Sequence, residues 1–278
     1  MIEKFPRVHD RWRQWWPAVL VLVLFVVAGL LVGGHLRSGG VQPVAAPSSM
    51  APTKVPLLES TPSPTATPSR TPDLFRLLQL PGKVPTHGSG SFRYGTSTGP
   101  VMGRKGPLRR FRVGVENGSG EDVAAFAAQV QATLGDPRSW TGGGTLRLRM
   151  VAAGEPYDFT VYLATRDTAG KMCLAGGTNV TIHGRPYTSC RTTGKAIINL
   201  DRWRLSSNPY LAAKVPLGIY RQYVINHEVG HELGQHHVGC PKAGGPAPVM
   251  VQQTLTLRGC VLNAWPRYND KFLTGPPV

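Results

Sequence analysis

The sequence predicts an α+β domain placed behind a membrane-crossing helix and an extended linker. Three features carry that prediction. Residues 15–34 are free of charge, a tract rich in Pro, Ser and Thr follows, and alternating strand patterns then lead to one long helical stretch that holds three histidines at its end. The 278 residues and 41% hydrophobic content suit a soluble core beyond the linker.

The segment from Trp15 to Gly34 has the length a helix needs to span a hydrocarbon core. Lys4, Arg7, Arg11 and Arg13 precede it and only Arg37 follows closely. The bias of basic residues towards the cytoplasmic flank therefore makes residues 1–14 a cytoplasmic tail and 15–34 a transmembrane signal anchor. A cleaved signal peptide is the competing reading. Its apolar region is normally shorter, however, and the nearest small-residue site, Val44 to Ala46, runs into Pro47. The expected location is the cell membrane, single-pass, with the C-terminal domain extracytoplasmic.

Residues 35–73 read as the linker, because Pro, Ser, Thr and Ala in such a run cannot build a core. In polyproline geometry, at about 3.1 Å per residue, they extend on the order of 100 Å. Residues 74–107 are Gly-rich and weakly patterned and read as an irregular lead-in to a domain over 108–278.

The formal charge of +16 is large. A basic exported domain can lie against anionic lipid heads or wall polymers. An arginine-rich genome gives the same composition. Arg104, Lys105, Arg109, Arg110 and Arg112 form the dense basic cluster. No aromatic interleaving or recognition motif accompanies it, so nucleic acid is not an expected partner.

Cys173, Cys190, Cys240 and Cys260 all fall on the outer side, where disulfides persist. Three pairings are possible, and proximity favours Cys173 with Cys190 and Cys240 with Cys260. The absence of a C-x-x-C spacing argues against a cysteine metal site or redox motif.

Within the domain, Phe111 to Glu116 alternates as a strand, and Glu121 to Leu134 carries Val123, Phe126, Val130 and Leu134 on one helical stripe. Leu146 to Met150, Phe159 to Leu163 and Lys195 to Leu200 are further strand candidates. Pro216 opens a helix over Leu217 to Leu233, which Gly234 terminates. That order fits an α+β domain with the last helix packed under a sheet.

This last helix ends in His227-Glu-Val-Gly-His-Glu-Leu-Gly-Gln-His-His237. His231 lies about 40° round the helix from His227, so the two imidazoles project towards one point. Glu228 flanks them, where a carboxylate can act as a base on water without being a ligand. Gly234 tolerates positive φ and lets the chain turn back, bringing a third ligand to the metal. Glu232 is the last glutamate in the chain and residue 237 is not Asp, so the third ligand is histidine. The spacing favours His237 over His236. Ile225, Val229 and Leu233 form the apolar back of the helix. Tyr220 and Val224 share the metal-facing side, with packing the favoured role.

The full spacing, H-E-x-x-H-x-x-G-x-x-H, resembles the metzincin signature of zinc endopeptidases. The resemblance implies a zincin-like (metzincin-type) fold, a mixed sheet over an active-site helix. It implies one catalytic Zn2+ on His227, His231 and His237, and Glu228 as general base in peptide-bond hydrolysis. It also implies a methionine turn below the metal, for which Met250 in Ala247-Pro248-Val249-Met250 is the candidate; a core methionine is the plain alternative. No tyrosine stands two residues after Met250, so a tyrosine ligand from that turn is not supported. An extended protein or peptide substrate would pair with an edge strand, for which Ala196 to Leu200 is the candidate.

Asp136 to Gly144, Tyr187 to Cys190, Tyr220 to Glu228 and Ala247 to Met250 are similar to a family of membrane-anchored actinobacterial proteins of zincin-like fold. That likeness covers roughly 108 to 266 and names no substrate. The competing function is a non-catalytic envelope module whose zinc stabilises a binding surface.

Overall fold

Alternation of apolar residues along Phe111, Val113 and Val115 puts one face of a strand in a dry core, and this strand organises the sheet of the computed structural model. The structure describes residues 73–278. The expected cytoplasmic tail, membrane segment and nearly all of the linker lie outside the described residues. Among those described, no helix is long and apolar enough to cross a membrane.

In chain order the elements that position the site are β1 (Phe92–Tyr94), β2 (Val101–Met102), β3 (Leu108–Glu116), α1 (Val123–Gly135), β4 (Arg147–Met150), β5 (Phe159–Ala164) and α2 (Arg166–Ala175). There follow β6 (Thr181–Ile182), β7 (Arg185–Pro186), β8 (Cys190–Thr192), β9 (Lys195–Asn199), α3 (Leu200–Leu205), α4 (Asn208–Ala212) and α5 (Leu217–Glu232). A small hairpin, β10 (Arg267–Tyr268) with β11 (Lys271–Phe272), lies after them.

The main sheet has the order β2-β4-β3-β5-β9-β8, with β1 paired to the far end of β3. β4, β3, β5 and β9 run parallel, while β1, β2 and β8 are antiparallel to their neighbours. The molecule is thus a mixed-sheet α+β fold, as the element order predicts.

Two expectations need correction. β1 and β2 fall inside the stretch 74–107 that reads as irregular, and both join the sheet. Such two- and three-residue strands are too short for a period to show; their form comes from pairing with β3 and β4. Ala196 to Leu200 is not an edge: β9 lies between β5 and β8, and Leu200 already opens α3. Ala196 to Asn199 are buried on both faces, the mark of an interior strand. The edge is β8.

One face of the sheet packs Phe111, Val113, Val115, Leu148, Val161 and Ile198 against Phe126, Val130 and Leu134 of α1 and Tyr220, Val224 and Val229 of α5. Burial of each large side chain stabilises by roughly 1.5–3 kcal/mol. Tyr220 and Val224 therefore pack, and the Tyr220 hydroxyl meets Thr254 Oγ1 at 3.1 Å. On the other face α2 covers Tyr162, Ala164 and Ile197 through Ala169 and the Cys173–Cys190 disulfide. The buried Glu116 carboxylate pins α2 there, accepting from Gly90 N, Thr165 N, Thr165 Oγ1 and Thr168 Oγ1 at 2.7–2.8 Å. A negative charge at a helix N-terminus also suits the helix dipole.

Residues 68–278 form one compact unit. It contains the whole of this core and both disulfides, so it carries what it needs to fold alone.

Candidate metal centre

α5 ends as the sequence predicts. Gly234 adopts φ +86°, Gly234 N–H donates to His231 O at 3.1 Å, and Gln235 N–H donates to Gly230 O at 2.9 Å. This pair of bonds closes a Schellman turn, which only a residue at ease with positive φ can make cheaply. The turn sends the chain back over the helix. It brings His237 Nε2 to 3.1 Å from His231 Nε2 and 3.3 Å from His227 Nε2.

Three imidazole nitrogens this close could hold a cation between them. His227 Nδ1 is 2.7 Å from Val249 O and His231 Nδ1 is 2.8 Å from Gln235 O. A carbonyl only accepts, so both Nδ1 atoms carry the proton and both Nε2 atoms present lone pairs. An imidazole–metal bond of about 2.1 Å in tetrahedral geometry separates neighbouring nitrogens by about 3.4 Å, close to the distances found. The two carbonyls fix the orientation of both rings, as the supports behind metal ligands do. Burial is the first cause that lowers the pKa of all three histidines, with neighbouring histidines adding to it for His227 and His237; His237 falls to about 4. Each is neutral at pH 7, the state a metal requires. His227, His231 and His237 thus form a group able to hold a metal ion. His236 is exposed at the cleft and lies outside this group.

Glu228 sits in the same cleft, 4% exposed, and no hydrogen-bond donor among the described residues engages its carboxylate. Burial pushes its pKa up to about 8. A cation on the histidines would draw it down again. The cleft has a volume of about 380 Å³. One wall is Thr178 to Ile182 with the β8 segment from Thr188 to Arg191; the other is Gln252, Thr254 and Leu255.

Met250 lies directly beneath the helix. A Cβ added to Gly230 would stand 2.6 Å from Met250 Sδ and 2.6 Å from Trp140 Cζ2, so both side chains press on the turn between His227 and His231. The adjacent Val249 O holds His227, and Val238 N–H donates to Met250 O at 3.3 Å. The Cys240–Cys260 disulfide closes this loop, and Cys173–Cys190 ties the β8 wall to α2. Both expected pairings are present.

Sequence reasoning missed several supports. Ser139 Oγ donates to Asn226 Oδ1 at 2.7 Å, Trp140 Nε1 donates to Asn226 O at 3.0 Å, and Asn226 Nδ2 donates to Ala264 O at 3.0 Å. Tyr223 OH donates to Val251 O at 3.1 Å and stands 3.4 Å from His227 Nδ1. Arg191 Nε donates to the buried Glu232 Oε1 at 2.7 Å, joining β8 to the end of α5. Only Asn226 and Tyr223 had a visible signal, their positions one and four residues before His227.

No curated protein and no solved structure matches the chain. A match over residues 79–266, more than half of the chain, takes in β1 to β9, all five helices and every residue of the histidine cluster, and it shows that the chain belongs to the family described as "Protein of unknown function (DUF3152)".

Proposed function

We propose that this chain is a membrane-anchored, extracytoplasmic, zinc-dependent endopeptidase of metzincin type. The observation that carries the reading is the convergence of three Nε2 atoms next to an unengaged, buried Glu228 in an open cleft. His227, His231 and His237 would hold the zinc, which when bound would supply Lewis acidity to a water and a carbonyl. Glu228 takes the proton of the attacking water and returns it to the leaving amine. β8 offers its outer edge to an extended peptide, and backbone pairing there would lay the scissile bond across the cleft. Met250 under Gly230 takes the part of the methionine turn. Two disulfides suit an oxidising compartment outside the cell.

The test is Glu228→Gln in the unit 68–278. Zinc content should be unchanged, while cleavage of a diverse peptide library should fall by a factor of about 10²–10⁴. Zinc bound by both proteins with cleavage by neither would sink the peptidase reading and favour a zinc-stabilised envelope module. Muropeptides in the same library report on a wall amide as substrate.

A further inference from the structure

We propose that the open end of the sheet, on the face away from α5, docks on an anionic lipid bilayer through a grid of unpaired arginines. The strand register places them. Arg110 of β3 stands directly opposite Arg149 of β4, and Leu108 opposite Arg147. Arg112 lies two residues along β3, opposite Thr160, and Thr160 in turn faces Lys195 of β9. All these side chains leave the same face, at spacings of about 4.8 Å between strands and about 7 Å along them. α2 covers only the opposite end of that face. Arg104 and Lys105, exposed in the turn before β3, stand at the same end.

None of these charges sits in an ion pair, although Glu155, its pKa lowered first by the Thr98 hydroxyl, lies near enough to Arg149 and Arg110 for them to lower it further. Among the described residues, ion pairs involve other basic groups, and none is made by Arg110, Arg112, Arg147, Arg149 or Lys195. The nearest carboxylates are engaged otherwise. Glu155 accepts from the Thr98 hydroxyl and Ala152 N–H, and Asp158 accepts from Arg110 N–H and faces Arg109 on the other side of the strand. Like charges directly opposite in a sheet destabilise it, so Arg110 facing Arg149 is a feature the fold alone does not favour.

The guanidinium groups are also prepared for an anion. Arg112 is held between the rings of Tyr94 and Tyr157, at 4.2 and 3.8 Å, and its Nε donates to Thr160 Oγ1 at 3.1 Å. Arg147 Nε donates to Gly106 O at 2.9 Å and Arg149 Nε to Gly99 O at 3.1 Å. Each is anchored through Nε, which leaves its terminal nitrogens for phosphate oxygens. Tyr157 and Val101, 44% and 45% exposed, border the grid and suit the interfacial depth of a bilayer.

A bilayer is preferred to a soluble polyanion because of the chain that precedes the domain. If residues 15–34 anchor it, the linker keeps this face at high effective concentration over the same membrane, where weak multipoint attraction suffices. Docking in this way turns the face bearing α5 away from the lipid and leaves the β8 edge, three strands from β3, open. The inference rests on the anchor reading and is independent of hydrolysis.

The experiment is co-sedimentation of the unit 68–278 with phosphatidylcholine vesicles, with and without phosphatidylglycerol. Binding should require phosphatidylglycerol and weaken with salt. Changing Arg110, Arg112, Arg147 and Arg149 to Gln should weaken it by at least roughly tenfold, while changing Arg185, Lys242, Arg258 and Lys271 to Gln should leave it nearly intact. A thermal melt checks folding of the variants, and the Arg110→Gln/Arg149→Gln pair, which relieves repulsion, serves should the fourfold variant unfold. Equal binding to both vesicles, equal loss in both variants, or capture by soluble polyphosphate without capture by phosphatidylglycerol vesicles overturns the proposal.

Discussion

Gly230 is the residue on which α5, Met250 and Trp140 meet. Alanine would improve helix propensity there by about 1 kcal/mol. It would also place a methyl 2.6 Å from two side chains, and Trp140 is fixed by its bond to Asn226 O. Overpacking of this kind costs about 1–3 kcal/mol, so the clash wins. Gly230→Ala should lower the melting temperature and weaken metal retention, since the strain falls between His227 and His231; a higher melting temperature would show that Met250 and Trp140 yield freely. The third ligand is decided by a similar contrast. His237→Ala should abolish stoichiometric zinc binding, measured on the purified unit, and His236→Ala should leave it unchanged. The opposite result would reassign the site. The motif was legible to this depth because a helix fixes the angle between residues four apart and a single glycine fixes the return of the chain.

At the scale of elements, α5 is a platform held from both sides. The segment after α1 reaches it through Ser139 and Trp140, and this segment is shaped by Asp136, whose carboxylate accepts from Arg138 N–H, Nε and Nη2 at 2.8–2.9 Å. Arg138 then stacks on Trp265 at 4.0 Å. The side-chain bonds from Arg138 outweigh burial and lower the pKa of Asp136. A depressed carboxylate contributes stability above its unfolded pKa and loses it as pH falls through the folded value. Asp136→Asn should therefore destabilise by about 1 kcal/mol or less at pH 7 and by nothing near pH 2, as followed by denaturant melts. An equal loss at both pH values would mean that shape, not charge, matters at this position. The three-residue β8 gave no such signal. Its strand form and its place at the sheet edge come from pairing with β9, whereas the apolar run of β9 is conspicuous in sequence and lies one strand further in. Lead-in strands β1 and β2 escaped for the same reason, since their conformation is tertiary in origin.

The whole molecule gathers its cleft from segments far apart in sequence, and the two disulfides mark its two walls. Cys173–Cys190 spans 17 residues and Cys240–Cys260 spans 20, so on loop entropy each should contribute about 3 kcal/mol and their removal should cost similar stability. Their effects on the site should nevertheless differ. The second loop contains Val249, whose carbonyl orients His227, and Met250, which supports Gly230, and it begins three residues after His237. The first closes only the β6–β7 hairpin and the wall leading to β8. Replacing Cys240 and Cys260 by Ser should lower the melting temperature and also weaken zinc affinity, measured by competition with a chelator. Replacing Cys173 and Cys190 should lower the melting temperature as much while leaving zinc affinity near wild type, with any cleavage showing a raised KM. Equal loss of zinc affinity in the two pairs would mean that metal retention follows global stability, and the assignment of one disulfide to the metal and the other to the substrate wall would fall.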